Sequence, residues 1–245
     1  MENQFTRTEN LIGADSLLKL RKSHVAVFGI GGVGGYAAEA LARSGVGKLT
    51  LVDSDKVSVS NINRQIIALN STVGKYKTDV MKERIADINP DTEVITSKQF
   101  FLPENSSEFD FSQYDYVVDA IDTVKAKIEL VIKSKEANVP VISAMGAGNK
   151  LDPTKFKVAD IYKTSVCPLA KVIRHELKKR KIKHLKVVFS EEYPVKQTNN
   201  EYNNIISCDN KIRKSVPSSY APAPAVMGLI IASEVIKDLT SNIKI

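Results

Sequence analysis

Short apolar segments alternate with stretches of helical periodicity along the chain from residue 24 onward. The segment His24–Phe28 (HVAVF) is typical of a buried strand, and the stretch after it places Val33, Ala37 and Leu41 on one face of a helix. Strands are predicted at 24–28, 48–52, 92–96, 116–120 and 140–144, and helices at 32–44, 78–88 and 124–137. Because strands that alternate with helices pair in parallel, this pattern predicts an α/β fold with a doubly wound, mostly parallel sheet.

The pattern changes after residue 148. It predicts strands at 156–161 and 185–189, an amphipathic helix at 168–180, a long polar loop at 191–220 and a last helix at 223–239. A loop of that length is usually functional or mobile. We expect one domain of residues 1–245 that starts with an N-terminal helix, with a nucleotide-binding core at 5–150 and a substrate-binding extension at 151–245.

Composition places the chain among ordinary globular proteins, with 43% hydrophobic and 26% charged residues. The first ten residues are polar, and the longest apolar run, at 221–232, contains two prolines and is shorter than the roughly 18 residues that a membrane span needs. We therefore expect a cytoplasmic protein without a membrane segment. Cys167 and Cys208 are too few for a disulfide framework, and the absence of a CxxC pair argues against a structural zinc site.

The positive charge is concentrated in one segment. The chain has 35 Lys and Arg against 28 Asp and Glu, a formal net charge of +7. Residues 171–186 carry eight basic side chains and one acidic side chain, so they account for the whole excess. The protein is therefore not polycationic throughout. A charge run is most often a solvated face, but it is also the kind of surface that binds phosphates.

A glycine-rich segment, Gly29-Ile-Gly31-Gly32-Val-Gly34, lies between the first predicted strand and the helix after it. It fits the GxGxxG pattern, in which glycines let the backbone approach a phosphate at a helix N-terminus. Asp53 ends the second predicted strand, where a carboxylate can accept hydrogen bonds from ribose hydroxyls. These features predict a nucleotide site, for which a nicotinamide-dependent oxidoreductase is one possible function.

Further polar residues favour a triphosphate over a nicotinamide. The segment 61–65 (NINRQ) follows the second strand, Lys77 begins the next helix, and Asp119 and Asp122 follow the fourth strand. Transfer at an α-phosphate needs cations for the phosphoryl oxygens and a carboxylate for Mg²⁺. Taken alone, each cation could be a solvated surface group, and Asp119 could cap the following helix. Together, at the carboxyl edge of the sheet, they indicate ATP.

The set GIGGVG, Asp53, NINRQ, Lys77 and DAIDT resembles the adenylating family that includes the ubiquitin-activating enzymes and the adenylyltransferases of molybdopterin and thiamine biosynthesis. This resemblance implies a Rossmann-like, ThiF-type fold, ATP and Mg²⁺ as cofactors, and a homodimer. Arg7 matches an arginine that such dimers donate to the partner's active site. The residues that match the family's nucleotide site are Gly29, Gly31, Gly32, Gly34, Asp53, Asp55, Asn61 and Gln65, together with Arg64 and Lys77 for the phosphates and Asp122 as the magnesium-linked acid.

Within that family, a longer similarity leads to the members that dehydrate threonylcarbamoyladenosine in tRNA. It runs through NINRQIIAL, ADINPDTEV, DAIDTVKAK and AGNKLDPTKFKVADIYKT to VVFSEE. It implies that the carboxylate of the modified adenosine is adenylated, that the neighbouring ureido group displaces AMP, and that one water is lost overall. The alternative is an activator of the C-terminus of a ubiquitin-like or sulfur-carrier protein, although such activators usually carry the CxxC pair that this chain lacks.

Two cysteines bear on that alternative. Cys167 precedes Pro168 at a predicted helix start, where a thiolate is favoured. Cys208 lies in the long loop, where related activators form thioesters. An intramolecular ring closure needs no protein nucleophile, so the dehydration requires neither cysteine. A sulfur-transfer partner of the cysteine-desulfurase type stays an open possibility.

The basic segment suits the tRNA that the resemblance implies. In the predicted helix at 168–180, Leu169, Ile173 and Leu177 can pack inward while basic side chains point outward. Contacts of this kind hold phosphates without reading sequence, and they weaken as salt rises. The residues expected to contact tRNA are Lys171, Arg174, Lys178, Lys179, Arg180, Lys181 and Lys183.

Overall fold

A seven-stranded sheet runs through the centre of the computed structural model, which describes residues 3–195 and 217–241. The strands are β1 (His24–Phe28), β2 (Lys48–Val52), β3 (Glu93–Ser97), β4 (Tyr116–Asp119), β5 (Val141–Ala144), β6 (Phe156–Asp160) and β7 (Lys186–Ser190). Their order is β3-β2-β1-β4-β5-β7-β6, and β6 pairs antiparallel with β7 while the other pairs are parallel. The predicted doubly wound α/β fold is confirmed.

Helices cover both faces of this sheet. They are α1 (Thr6–Ile12), α2 (Ala14–Lys22), α3 (Gly34–Arg43), α4 (Lys77–Ile88), α5 (Val124–Glu136), α6 (Pro168–Lys179) and α7 (Pro222–Thr240). Two short helices replace the single N-terminal helix that we expected, because Gly13 between them has φ +84°, outside the helical range. The other predicted boundaries lie within two residues of the observed ones.

Each face of the sheet carries its own apolar core. In β1, Val25 and Val27 belong to the core beneath α3, α4 and α7, whereas Ala26 and Phe28 belong to the core beneath α5 and α6. All five residues of β1 are buried, as a central parallel strand requires. The carboxyl ends of the parallel strands therefore meet at one edge, between two helical layers.

The last helix packs closely on the beginning of α3. A Cβ added to Gly228 would lie 2.4 Å from the Val33 carbonyl oxygen, and one added to Gly32 would lie 3.2 Å from Pro224. Only a residue without a side chain lets α7 approach the backbone so closely at Gly228. As a result, α7 packs against the connection between β1 and α3 and supports it.

The described ends of the predicted 191–220 loop meet at Asn149. Val195 N donates to the Asn149 carbonyl (2.9 Å), and Ser218 N donates to Asn149 Oδ1 (2.8 Å). Residues 196–216, with Cys208 and the predicted mobile part of the loop, lie outside the described residues. None of the helices in the described part is long and apolar enough to cross a membrane.

Candidate functional site

A cavity of about 690 Å³ opens at the carboxyl ends of β1, β2, β4 and β5. The neighbouring strands β1 and β4 continue into helices on opposite faces of the sheet, since α3 covers one core and α5 the other. Ligands of open α/β sheets bind in the crevice at such a switch point. The cavity therefore lies where the predicted nucleotide site belongs.

The predicted glycine loop forms one wall. Gly29, Gly31 and Gly32 line the cavity, whereas Gly34 does not. Gly29 has φ +89°, and a Cβ there would lie 2.7 Å from the Ala120 carbonyl oxygen. A Cβ on Gly34 would lie 1.8 Å from the Gly29 carbonyl oxygen. Gly34 thus permits the tight turn into α3, Gly29 lets the loop approach Ala120 closely, and Gly31 and Gly32 leave their backbone exposed to the cavity.

Asp53, just after β2, holds this loop in position. Its Oδ2 accepts a hydrogen bond from Ile30 N (2.7 Å) and its Oδ1 accepts one from Asp55 N (2.8 Å). Burial raises the pKa of the Asp53 carboxyl, and nearby Lys77 and the two amide donors oppose that rise. Lys77 Nζ lies 4.0 Å from Asp53 Oδ1 and 2.7 Å from Asp55 Oδ2. The two acids and Lys77 therefore form one cluster, and their contact with a nucleotide stays a prediction.

The NINRQ segment brings an arginine and two amides to the cavity. Arg64 Nη1 donates to the Ser60 carbonyl and to Asn63 Oδ1, both at 2.9 Å, and forms no ion pair with any described residue. Asn61 and Gln65 are buried and also line the cavity. In the described part, Gln65 Oε1 has no hydrogen-bond partner. A guanidinium without a counter-ion and a buried amide oxygen without a donor fit a ligand that has both an anionic group and a hydrogen-bond donor. ATP has both.

The two acids after β4 have different environments. Asp122 is exposed and lines the cavity, whereas Asp119 is fully buried and does not. Both Asp119 carboxylate oxygens accept hydrogen bonds from Lys127 Nζ at 3.0 Å, and Ser143 Oγ donates to one of them. Ile121 N donates to the same carboxylate (3.2 Å). Asp119 therefore fixes the backbone that carries Asp122 and has no direct path to a ligand.

The role of Lys127 was not predicted from the sequence. Its position in α5 could have indicated this role. Leu130 and Val131 follow Lys127 by three and four residues and are both buried, so Lys127 lies on the buried face of the helix. A lysine on the apolar stripe of a helix needs a buried counter-charge, and Asp119 supplies it.

A second wall comes from beyond the predicted nucleotide core. Lys150 is only 4% exposed and lines the cavity together with Cys167, the residue before α6. Burial lowers the pKa of Lys150, and the neighbouring Cys167 and Glu192 oppose that effect. No role for Lys150 was predicted from the sequence, because a single lysine two residues after Gly148 belongs to no recognisable motif. The cavity thus crosses the predicted boundary at residue 150.

A dedicated metal centre is absent from the described residues, which contain no group of three or more His, Cys, Asp or Glu able to hold an ion. Magnesium that binds nucleotide phosphates needs only one or two carboxylates from the protein. Asp122 is exposed at the cavity and accepts a weak hydrogen bond from Thr123 Oγ1 (3.3 Å). Its carboxylate is thus available for such an ion.

Arg7 lies on α1 and is exposed. It does not line the cavity of its own chain. Its predicted role in a partner's active site therefore stays a prediction.

Most of the predicted basic surface is solvent-exposed, but Arg174 is partly buried. Its Nη1 donates to the Thr164 carbonyl (2.9 Å) and to Thr164 Oγ1 (2.6 Å), which joins α6 to the preceding segment. Lys179 and Arg180 form ion pairs with Glu176 at 2.9 and 2.6 Å. Hydrogen bonds from these two residues lower the pKa of Glu176 to about 2. Of the seven residues predicted to contact tRNA, those that are exposed and form no ion pair with any described residue are Lys171, Lys178, Lys181 and Lys183.

Lys186, the last member of the basic run, does not belong to this surface. Its Nζ lies 2.8 Å from Asp238 and 3.2 Å from Glu234, both on α7. The free positive charge of the run is therefore smaller than its composition indicates, and it is concentrated along α6 and the turn after it.

Comparison with known proteins extends this picture to the whole chain. A model of the ThiF family matches residues 5–244. The tRNA threonylcarbamoyladenosine dehydratase of Bacillus subtilis is 49% identical over 248 residues, which cover 100% of this chain and 98% of that protein. The Escherichia coli protein of the same name is 44% identical over 175 residues, which cover 71% of this chain and 65% of that one.

Solved structures of the E. coli protein are also similar to this chain. The crystal structure of E. coli tRNA N6-threonylcarbamoyladenosine dehydratase in complex with ATP superposes with a TM-score of 0.86 at 36% identity, covering 98% of this chain and 94% of that one. The complex of the same protein with AMP gives a TM-score of 0.87 with the same coverage and identity.

Proposed function

This chain belongs to the ThiF family, and we propose that it is an ATP-dependent tRNA threonylcarbamoyladenosine dehydratase. It adenylates the carboxylate of N6-threonylcarbamoyladenosine in tRNA, and the neighbouring ureido group then displaces AMP and closes a ring. The observation that carries this function is the similarity to the B. subtilis enzyme along the whole chain. The relatives favour it over activation of a ubiquitin-like or sulfur-carrier protein and over nicotinamide chemistry.

Adenylation gives the carboxylate the leaving group that it lacks. A free carboxylate is a poor electrophile, and the mixed anhydride with AMP is a good one. In the transfer, negative charge develops on the phosphoryl oxygens and must be stabilised by groups already in place. We assign this role to the amides of the glycine loop and to Arg64, whose guanidinium has no ion pair in the described part of the chain.

The remaining predicted residues support the nucleotide. Lys77 neutralises the acids after β2 and stands beside the phosphate path, and Asp53 aligns the loop through Ile30 while facing the ribose. Gln65 offers its unpaired Oε1 to a ligand donor. When bound, Mg²⁺ held by Asp122 would offset charge on the phosphates.

The basic face of α6 is suited to holding tRNA beside the cavity. The helix begins at Pro168, which lines the cavity, and its 12 residues extend for about 18 Å. Lys178 lies at the far end of the helix and Lys181 in the turn after it, more than two turns from Pro168 and Leu169, the residues of the helix that line the cavity. Phosphates of an RNA stem can therefore rest on these lysines while one nucleotide enters the cavity.

We further propose that the protein works as a homodimer in which Arg7 enters the partner's cavity. The support is chemical, since Arg7 is exposed on α1 and forms no ion pair with any described residue. Large apolar side chains are exposed nearby, with Leu11 76% and Leu18 50% exposed. Such side chains are typical of a surface that packs against another protein.

The function is tested by incubating the protein with ATP and with tRNA that bears the threonylcarbamoyl group. We expect release of pyrophosphate and AMP and a nucleoside that is lighter by one water in mass analysis. Unmodified tRNA is the control and should stimulate neither product. A nucleoside of unchanged mass, with no pyrophosphate released above the control, would contradict the proposed function.

A further inference from the structure

Lys150 is an amine buried in the wall of the cavity, and none of the described acids forms an ion pair with it. Its side chain makes one hydrogen bond in the described structure, to the Glu192 carbonyl oxygen, and no carboxylate of residues 3–195 or 217–241 pairs with it. A buried ammonium without a counter-ion is costly. Burial accordingly lowers the pKa of Lys150 and favours its neutral form, which carries a free electron pair.

Glu192 holds this lysine in place from two directions. Its main-chain oxygen accepts the hydrogen bond from Lys150 Nζ, and its carboxylate accepts hydrogen bonds from Leu151 N (3.0 Å) and Asp152 N (3.0 Å). One residue therefore fixes both the amine and the backbone just after it. A group held in this way has a defined position relative to a bound substrate.

We propose that Lys150 is the general base of the ring-closing step, an assignment that rests on the proposed function. In this step a bond forms between the ureido group and the acyl carbon, and the bond from that carbon to the phosphate oxygen breaks. The electron pair of the broken bond leaves with AMP. The N–H proton that the ureido group sheds passes to Lys150 Nζ, and the ammonium later returns it to water.

Other cavity groups are less suited to this proton transfer. Asp53 is held by two amide donors, Lys77 is paired with Asp55, and an arginine such as Arg64 stays protonated. None of the three histidines lines the cavity. A general base works best when its pKa lies near the operating pH, and burial moves the pKa of Lys150 in that direction.

The test compares wild type with Lys150→Ala, Lys150→Arg and the exposed control Lys155→Ala. ATP–pyrophosphate exchange in the presence of modified tRNA reports adenylation, and the mass of the nucleoside reports ring closure. We expect both Lys150 variants to keep exchange and to close the ring at least about 100-fold more slowly, the usual contribution of a general base. The wild-type closure rate should rise with pH and level off, and the variants should lose that rise.

The Arg variant separates a base from a fixed positive charge. Wild-type closure by Lys150→Arg would overturn the proposal, because arginine keeps the charge and does not accept a proton at neutral pH. Closure at the wild-type rate by Lys150→Ala would overturn it too, as would loss of exchange in both variants. Lys150→Met, which fills a similar volume, replaces the Ala variant should that one not fold.

Failure of the proposed function gives a different result. A wild-type protein that exchanges pyrophosphate but yields no lighter nucleoside contradicts the dehydration itself, and this step with it. Normal closure by wild type and by the Lys150 variants contradicts only the role of Lys150.

Discussion

Two buried lysines of this protein have different electrostatic surroundings. Lys127 lies between both oxygens of Asp119 and is 1% exposed, away from the cavity. Lys150 is 4% exposed on the cavity wall and has a main-chain oxygen as its hydrogen-bond acceptor. A buried lysine with its own carboxylate is a structural element, and one that lacks a carboxylate beside a ligand site is available for chemistry.

The structural role of Lys127 can be measured directly. Lys127→Met should lower the free energy of unfolding by about 3–5 kcal/mol, because it leaves Asp119 buried and charged without a partner. Urea unfolding at neutral pH gives this value. Lys125→Met, on the exposed side of α5, should change it by less than about 0.5 kcal/mol. A Lys127→Met variant as stable as wild type would show that the pair does not hold the loop that carries Asp122.

Among the helices, α7 and α6 serve the site in different ways. The first supports the glycine loop through a contact with α3, in which Gly228 has no room for a side chain. The second begins at the cavity and leads away from it with exposed lysines. Damage to α7 should therefore affect folding and nucleotide binding together, whereas changes to the exposed lysines of α6 should affect tRNA binding alone.

Gly228→Ala tests the contact between α7 and α3. Alanine favours a helix over glycine by about 1 kcal/mol, but its Cβ would lie 2.4 Å from the Val33 carbonyl oxygen, and overpacking usually costs about 1–3 kcal/mol. We expect a net loss of stability and weaker ATP binding, measured by thermal unfolding and by titration calorimetry. Ser233→Ala, exposed on the same helix, should change neither quantity. A Gly228→Ala protein more stable than wild type would show that this contact can relax.

The lysines at the end of α6 are tested by the salt dependence of tRNA binding. A double change of Lys178 and Lys181 to Gln should weaken binding and lower the slope of log affinity against log salt by about 0.7–0.9 for each phosphate that is no longer neutralised. ATP binding without tRNA should be unchanged, because neither residue lines the cavity. The same change at Lys155 is the control. An unchanged slope would make this surface a solvated face.

For the whole molecule, the proposed homodimer makes each cavity depend on two chains. Arg7→Ala and Arg64→Ala proteins should each be inactive, but a mixture should recover about a quarter of wild-type turnover, because half of the dimers are mixed and each has one intact site. Light scattering measures the mass of the particle, and pyrophosphate release measures turnover. No recovery on mixing, in a protein of dimeric mass, would show that Arg7 acts within its own chain, and an active Arg7→Ala protein would show that Arg7 has no role.

The sheet could be predicted well from the sequence because the pattern of a strand depends on residues that are neighbours in the chain. Four consecutive apolar residues after His24 in β1 and an equally clear pattern at β2 predicted the observed boundaries of both strands. The sequence predicted less well which polar groups are buried, since burial depends on residues distant in the chain. Lys150 is held by Glu192, and Arg174, expected to contact phosphate, is bound to Thr164. Such pairings arise only when the chain has folded.

The contact between α7 and the glycine loop also sets when the site can first exist during synthesis. Pro224 and Gly228 meet Gly32 and Val33, which the ribosome made nearly two hundred residues earlier. A nascent chain can pair β1 with β2, but the loop between β1 and α3 stays without its outer support until 222–240 has left the exit tunnel. We therefore expect a growing chain that lacks 222–240 to bind ATP more weakly than the finished protein.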